Sequence, residues 1–416
     1  MSDADVVVVG GGLAGRTAAL AAARRDASAS VSLVADGNGD FRRESACVDV
    51  LGYAPDGDGP LSNPFAALAD LPAAHPYRIV GTETVRSGLS LFDDVVGDSY
   101  GGASTDRNAV VPTAFGSVRS VARYPTGMQA GLASERRETT LVGFEFLPEF
   151  DAPTAAERLE RAVSYRVDGI TVQFPTDDRE RIEMAEALDD NPITPDADPA
   201  REALAATVRM YQSGEERIGL PPVLGLREHD AVRAQFEEAF GVPVFEVPAG
   251  APHVPGIRLG RTLEAALDEA GVDVLPDTRV EGVDANDGHV ERLHRQDGET
   301  VTGSQFVLAT GGLERGGIVA DRPTVTEPLF GCHVAAPSDR GDWADRAPLG
   351  EHPFARFGVS VDEHLRPLGP NEGPEYANLR AAGHVLGGFD PVAEHSGGGV
   401  AVATGYAAGR GAVEDW

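Results

Sequence analysis

The stretch Asp5-Val6-Val7-Val8-Val9-Gly10-Gly11-Gly12-Leu13-Ala14-Gly15 decides the fold. Its run of valines is the β-branched pattern of a buried strand, and the Ala-rich residues from Gly12 to Arg25 suit a helix packed on it. Between them the spacing Gly10-x-Gly12-x-x-Gly15 fits a tight strand-to-helix turn over a pyrophosphate. Gly10 permits the turn, Gly12 lets backbone N–H groups reach phosphate oxygens, and Gly15 lets the helix close on the strand. A second apolar run, Val31-Ser32-Leu33-Val34-Ala35, ends on Asp36. That acid lies roughly 20 residues past the glycines, where a carboxylate accepts hydrogen bonds from an adenosine ribose. Strand, glycine turn, helix, second strand and terminal acid together predict a dinucleotide site.

Working outward, the chain divides into three blocks. Residues 1–75 hold this βαβ unit and a Gly/Pro/Asp-rich loop from Tyr53 to Pro64. Residues 76–245 have another texture: Asp151–Val163, Arg179–Leu188 and Asp198–Gln212 read as amphipathic helices, with prolines between them. Thr140–Phe146 and Val242–Val247 read as strands of an α+β insert that serves as a substrate or capping domain. Residues 246–416 return to the opening texture. Gly260–Ala270 is a helix, and Asp273–Leu275 is a short strand. Thr278–Asp284 and His289–Arg295 form a hairpin turning on Asp287-Gly288, and Phe306-Val307-Leu308-Ala309 is a buried strand. The fold class is therefore α/β: a Rossmann-like FAD/NAD(P)-binding domain built from both chain ends, interrupted by the insert.

The late glycines belong with the early ones. Ala309-Thr310-Gly311-Gly312 closes a strand with small residues that let a backbone or ligand approach. Asn378–Phe389 contains Gly383, Gly387 and Gly388, and Ser396-Gly397-Gly398-Gly399 opens an Ala-rich helix. Such a helix start aims unpaired N–H groups and the positive end of its dipole at a ligand, which suits the N1/O2 edge of a reduced flavin.

Asp and Glu number 66 against 35 Lys+Arg, a formal charge of −31, and no lysine is present. Scattered carboxylates without lysine point to adaptation to very high salt, where screening shortens self-repulsion. The same composition argues against a nucleic-acid partner, since no basic stripe is present to meet phosphates. Cys47 and Cys332 lie far apart and form no C-x-x-C, so neither a dithiol redox site nor an iron–sulfur cluster is expected within the chain. No metal-ligand spacing is present. A reducing cytoplasm is the expected compartment: the first residues lack a basic region and cleavage site, and no apolar run reaches the roughly 20 residues needed to span a bilayer.

The order of cradle, insert, Ala-Thr-Gly-Gly strand end and Gly-rich helix start resembles two-domain flavoproteins of the fumarate-reductase and aspartate-oxidase kind. The resemblance sharpens to the B-subunit family of anaerobic glycerol-3-phosphate dehydrogenase. It rests on Val9–Gly15, Val48-Asp49-Val50-Leu51, His75-Pro76-Tyr77, Gly256-Ile257-Arg258-Leu259 and Leu308–Gly312 with Gly316-Gly317 and Val319-Ala320. Glu327-Pro328, Phe357-Gly358-Val359, Leu365-Arg366-Pro367, Val385–Pro391 and Gly397–Val400 extend it. The resemblance implies a flavin, usually FMN in this family, whereas Asp36 is the kind of residue that recognises the adenosine of FAD. It also implies a Ser/Gly-rich segment that skirts the flavin, which here reads Arg43-Glu44-Ser45-Ala46-Cys47 and makes Ser45 a cofactor-binding candidate. The broader class places an acid after the late Ala-x-Gly, where this chain has His384.

The resemblance further implies oxidation of sn-glycerol 3-phosphate to dihydroxyacetone phosphate. Electrons would pass toward quinone through two partners, the catalytic A subunit, and the iron–sulfur C subunit, which would hold the complex at the inner face of the membrane. Such a substrate needs arginine for its phosphate and a base for its hydroxyl proton. Arg258 and Arg366 are the anion-holding candidates, and His253 and Asp390 the candidate bases. Two rival readings are an electron-relay or assembly protein without a substrate site, and a stand-alone fumarate-reductase-like or amino-acid oxidase. The charge balance makes one prediction independent of these. Lowering KCl from about 1 M to about 0.1 M lengthens the Debye length roughly threefold. The melting temperature followed by circular dichroism should fall steadily over that range; a flat profile would refute salt adaptation.

Overall fold

The computed structural model describes residues 2–37, 41–43, 45–195, 198–322, 324–348 and 350–416. It resolves into two compact units: Met1–Asp40 with Asp49–Gly97 and Thr262–Trp416, and Phe41–Val48 with Asp98–Arg261. The boundaries thus fall later than the composition shifts near 75 and 245 suggest. Helix Thr82–Val96 accounts for the first displacement. Its Gly88 lies flat on the C-terminal helix (Gly397–Glu414), where an added Cβ would come 3.0 Å from the Val402 carbonyl oxygen, so it packs with the nucleotide-binding layer.

The first unit is built on a seven-stranded sheet. β1 (Ser2–Val9) pairs in parallel with β2 (Val31–Val34) on one side and with Thr300–Leu308 on the other. Asp273–Leu275 extends the sheet beyond β2, and Leu379–Ala381 also pairs in parallel with Thr300–Leu308. The expected hairpin is present as Val280–Asn286 and His289–Arg295. Both Asp287 and Gly288 have positive φ, the conformation that a two-residue hairpin turn requires. Register places Val9 beside both Val34 and Leu308, so three strands end on one edge. There Gly10 N–H donates to the Val34 carbonyl at 2.9 Å and Ala309 N–H to the Val9 carbonyl at 2.8 Å.

Missing side chains hold the two chain ends together. α1 (Leu13–Arg25) lies on the C-terminal helix, and the contact is made of backbone. A Cβ on Gly405 would stand 2.4 Å from the Ala14 carbonyl oxygen, and one on Gly409 would stand 2.0 Å from that of Ala18. These glycines are four residues apart and share a helix face, so together they form the groove that receives α1. The C-terminal helix is buried over most of its length, which explains its apolar, Ala-rich sequence on every side.

The second unit has its own core around a four-stranded sheet, ordered Val244–Glu246, Arg217–Leu220, Thr139–Phe144, Val167–Val172. Every pairing in it is parallel, which corrects the expected α+β insert to an α/β layer accompanied by short antiparallel ribbons. Parallel neighbours need crossover connections of a dozen or more residues, and the intervening helices supply them. One is Ala152–Ala162, capped by Asp151, whose carboxylate accepts the Thr154 N–H at 3.0 Å. Arg181–Asp190, Ala200–Arg209 and His229–Phe240 fall near the other expected helices or between the strands.

The helix seam makes a direct prediction. Gly409→Val places two methyls and a Cβ onto the Ala18 backbone and should destabilise the protein by about 1–3 kcal/mol or more. Gly250→Ala, where an added Cβ meets nothing within 4 Å, should leave stability near wild type. Thermal melts of the two variants at one salt concentration measure the difference.

Candidate functional site

The cradle in the first unit has the geometry its glycines foretell. Gly10 sits at φ +125°, and a Cβ there would come 2.1 Å from the Ala309 carbonyl oxygen. Gly15 faces the Gly10 carbonyl, which an added Cβ would approach to 1.8 Å, so it sets how closely α1 meets the strand end. Gly12 is different: a Cβ there meets nothing within 4 Å. Gly12 also caps α1 without a side-chain hydrogen bond, so no capping side chain takes the first-turn N–H groups. That is the arrangement a pyrophosphate needs. Thr310 Oγ1 is buried with no hydrogen-bond partner among the described residues, on the strand end beside the cradle. An orphaned hydroxyl here suits a ligand oxygen.

Arg16 escaped the sequence reading. It is a buried arginine in the first turn of α1, and its Nε donates to the Gly11 carbonyl at 2.9 Å. Burial pushes its pKa down and the charge of Glu264 partly restores it. The signal was its place immediately after Gly15, where a guanidinium can brace the glycine turn and add positive charge beneath it. Asp36 lies two residues past the end of β2, and Arg279 Nε lies 2.8 Å from its Oδ2. Both side chains are exposed, so this solvent-screened pair can yield to a ribose hydroxyl.

The late glycines divide into two groups. Gly383, at φ +78°, abuts α1: its added Cβ would stand 2.6 Å from that of Ala14, and its N–H donates to Thr404 Oγ1 at 2.8 Å. Gly311, at φ +89°, follows Thr310 at the strand end. Gly387 and Gly388 are packing glycines, which corrects their assignment to the cofactor. The first is pressed against the Gly358 backbone and the second against Ala74, where an added Cβ would come 2.5 Å from the carbonyl oxygen. Gly399 N–H is taken by the Asp49 carbonyl at 2.7 Å, so it too is removed from the ligand donors. Gly397 and Gly398 remain at the helix start, and no side chain caps it. The Ser396 hydroxyl bonds instead to Glu394 Oε2 at 3.2 Å.

Glu394 organises this turn. Its buried carboxylate also meets His75 Nε2 at 3.0 Å and accepts the Asp390 N–H at 3.0 Å. Its own carbonyl takes the N–H groups of Gly52 and Tyr53. Tyr77 completes the network by donating to the Val50 carbonyl at 2.7 Å. His75-Pro76-Tyr77 therefore earns its place structurally, by locking the Gly-rich turn. Asp390 is a turn residue: its Oδ1 accepts the N–H groups of Val392 and Ala393 at 3.0 and 2.9 Å, which corrects its candidacy as a base.

Both arginine candidates are already engaged. In the second unit the Arg258 guanidinium forks onto the buried Glu246 carboxylate, with contacts of 2.7 and 2.9 Å, and Nε donates to the Gly225 carbonyl. In the first unit Arg366 pairs with Asp362 at 2.8 Å. Neither is the open anion holder expected of it, because each has a carboxylate at hydrogen-bond distance. His253 and Ser45 both lie in the second unit. Burial lowers the His253 pKa to about 4, assisted by the charges of Arg181 and Arg119, so its ring is neutral at physiological pH. Ser45 Oγ accepts from Arg119 Nη1 at 3.2 Å. Glu44 lies outside the described residues. Burial drives the Cys332 thiol far above its ordinary pKa, which leaves it without nucleophilic character. Among the described residues no cluster of His, Cys, Asp or Glu could hold a metal ion, and no helix is long and apolar enough to cross a membrane.

Comparison with known proteins adds the family. A family model described as an FAD binding domain matches residues 5–400. A probable B subunit of anaerobic glycerol-3-phosphate dehydrogenase from Halobacterium salinarum is 47% identical over 99% of this chain and 98% of its own length. The B subunit of the anaerobic glycerol-3-phosphate dehydrogenase of Pectobacterium carotovorum is 30% identical, covering 96% of each chain. Among solved structures, 3-ketosteroid delta1-dehydrogenase from Sterolibacterium denitrificans aligns over 100% of both chains at 11% identity with a TM-score of 0.43. With a strand-end cradle, a matching domain model and full-length relatives of one description, the chain belongs to the B-subunit family of anaerobic glycerol-3-phosphate dehydrogenase, within the FAD-binding-domain flavoproteins.

Proposed function

We propose that this chain is the flavin-bearing B subunit of an anaerobic glycerol-3-phosphate dehydrogenase, with FAD as its flavin. The observation that carries the reading is the open, uncapped cradle at Gly12, flanked by Arg16 and the orphaned Thr310 hydroxyl. FAD is favoured over FMN because a βαβ cradle ending in Asp36 is fitted to a dinucleotide, and because the matching domain model is an FAD binding domain. Gly10, Gly12, Gly15 and Arg16 would hold the pyrophosphate, Asp36 the adenosine ribose, and the helix start at Gly397-Gly398 the electron-rich edge of the ring. Bound there, the flavin supplies a two-electron acceptor for a carbinol carbon.

The protein's own contribution is to bind the anionic end of the substrate and to receive its hydroxyl proton. His253 supports the second role: it is neutral and half-buried. Iron–sulfur and second catalytic subunits, quinone as terminal acceptor and a peripheral position at the membrane complete the proposal. The descriptions of its relatives as subunits support a multi-subunit assembly. The relay reading, in which a partner alone binds substrate, draws support from the internal pairing of Arg258 and Arg366.

Acid release from the purified yellow protein should yield FAD; release of FMN alone would refute the dinucleotide assignment. Anaerobic addition of glycerol 3-phosphate should bleach the flavin absorbance. Bleaching only after the partner subunits are added would establish the relay reading, and bleaching by succinate or an amino acid would establish the stand-alone oxidase. Gly12→Ala, whose Cβ meets no protein atom, should melt within about 1 kcal/mol of wild type while losing most of its bound flavin. Full flavin occupancy in that variant would remove Gly12 from the site.

A further inference from the structure

The second unit contains a buried positive charge whose donors are unmet. Arg181 opens the helix Arg181–Asp190, and its side chain is 0% exposed. None of its guanidinium nitrogens has a hydrogen-bond partner among the described residues. Its charged neighbour is Glu149, whose Oε1 stands 3.8 Å away, beyond hydrogen-bond length. A guanidinium carries five donors, and burying them without acceptors is strongly unfavourable. The helix position adds to the cost, because the first turn carries the positive end of the dipole. A fold does not keep such a group for its own stability; buried, unmet donors mark a place where a ligand completes the structure.

Three other side chains of the second unit are coupled to it through charge and hydrogen bonding. Arg119, on the strand Val118–Val121, and Arg181 both act electrostatically on His253. The loop bearing His253 is held by its backbone N–H, which donates to the Arg42 carbonyl at 2.6 Å. From the same segment, Ser45 Oγ accepts from Arg119 Nη1 at 3.2 Å, which orients that guanidinium. His253 thus feels the charge of both arginines, Ser45 holds one of them, and Glu149 is the opposing charge beside Arg181.

We propose that Arg181, Arg119, His253 and Ser45 form a subsite for a phosphomonoester dianion, and that its arrival readies His253 to take up a proton. The proposal rests on the proposed function for the name of the substrate, glycerol 3-phosphate, but not for the anion itself. An incoming dianion offers the acceptors the Arg181 fork lacks and binds it bidentately. Burial is the main cause of the low His253 pKa, and the anion cancels the two positive charges that add to it, so the imidazole becomes a stronger base when the site is filled. Without ligand His253 titrates at about 4. With ligand it titrates higher, so binding takes up a proton between the two values. Affinity must then rise as pH falls from neutral and level off below the unliganded value.

Calorimetric titration of the full-length protein with sulfate tests this, because sulfate keeps its charge across the range in which histidine titrates. Inorganic phosphate, glycerol 3-phosphate and uncharged glycerol are the companion probes. All three anions should bind and glycerol should not, with sulfate affinity increasing from about pH 8 to about pH 5. Arg181→Gln should weaken each anion by about tenfold or more, with Arg181→Lys in between, since it keeps the charge and loses the fork. Arg181→Gln should also melt no lower than wild type, because it removes a buried cation whose donors have no acceptors and whose ion-pair partner Glu149 is part-exposed; a structural arginine would give the opposite. His253→Asn should flatten the pH dependence, and the His253 ring signal in NMR should titrate at higher pH with sulfate present. A folded Arg181→Gln that binds sulfate like wild type, or a His253 titration unmoved by saturating sulfate, overturns the proposal. If the anions bind as described but glycerol 3-phosphate leaves the flavin oxidised, the subsite stands and the dehydrogenase reading fails. If glycerol 3-phosphate bleaches the flavin of Arg181→Gln at unchanged concentration dependence, the reading stands and the subsite fails.

Discussion

The first unit depends on backbone meeting backbone where no side chain intervenes. β1 and the strand Thr300–Leu308 are nearly three hundred residues apart in sequence yet end side by side, and Gly10 sits directly against the Ala309 carbonyl. On the other face of that junction, Gly405 and Gly409 let the C-terminal helix touch the carbonyls of Ala14 and Ala18. Gly383 abuts the same residue of α1 from the strand side, where its added Cβ would stand 2.6 Å from the Ala14 methyl. Each approach is shorter than any Cβ tolerates, so the seam is rigid and indifferent to the other side chains on these helices. A cofactor site assembled from both chain ends requires this, because a phosphate cradle loses its donors' aim if the helix shifts by a fraction of an ångström.

Buried charge follows a different logic in different places. Around Glu394 both carboxylate oxygens are matched: His75 and Ser396 meet one and the Asp390 amide the other, and the Gly-rich turn is held without any ligand. Arg258 and Glu246 neutralise each other in the same way, by a fork onto a buried carboxylate that is held in its charged form by that arginine despite its burial. Such satisfied networks specify one arrangement, and breaking either partner leaves an uncompensated charge. Arg181 stands outside this pattern, with a guanidinium as deeply buried and no acceptor to meet it. The contrast between matched and unmatched burial separates residues that hold the fold from residues that wait for something to bind.

Much of the first unit was legible because its signals are local. The valine run, the glycine spacing, the Asp287-Gly288 turn and the Ala-rich C-terminal helix each depend on neighbours in sequence, and each forms as read. The boundaries were less legible because they depend on which unit a helix packs against, as with Thr82–Val96, and no periodicity encodes that. The parallel sheet of the second unit was hidden for a similar reason: four short strands carry no sign of direction until their crossovers are placed. The surroundings of the candidate arginines were the least legible. Arg258 and Arg366 stood in family-like strings, yet their partners Glu246 and Asp362 lie within the same fold and take their charge. Arg181 sits in the unremarkable run Arg179-Glu180-Arg181, and only its burial distinguishes it from a solvated helix start.

The acidic composition and the buried arginine address one problem from two sides. A chain at −31 repels any anionic substrate at long range, and high salt shortens that repulsion to a few ångströms at about 1 M. The same salt weakens attraction by exposed arginines just as much, and surface pairs such as Arg279 with Asp36 gain little from charge under those conditions. A guanidinium removed from solvent is screened far less, because mobile ions cannot enter the space between it and its ligand. Withdrawing the anion-binding charge into the interior therefore preserves its strength in the medium for which the surface is built. The penalty of burying it unmet is carried by the empty protein and relieved only on binding, which makes recognition depend on the ligand's own charge.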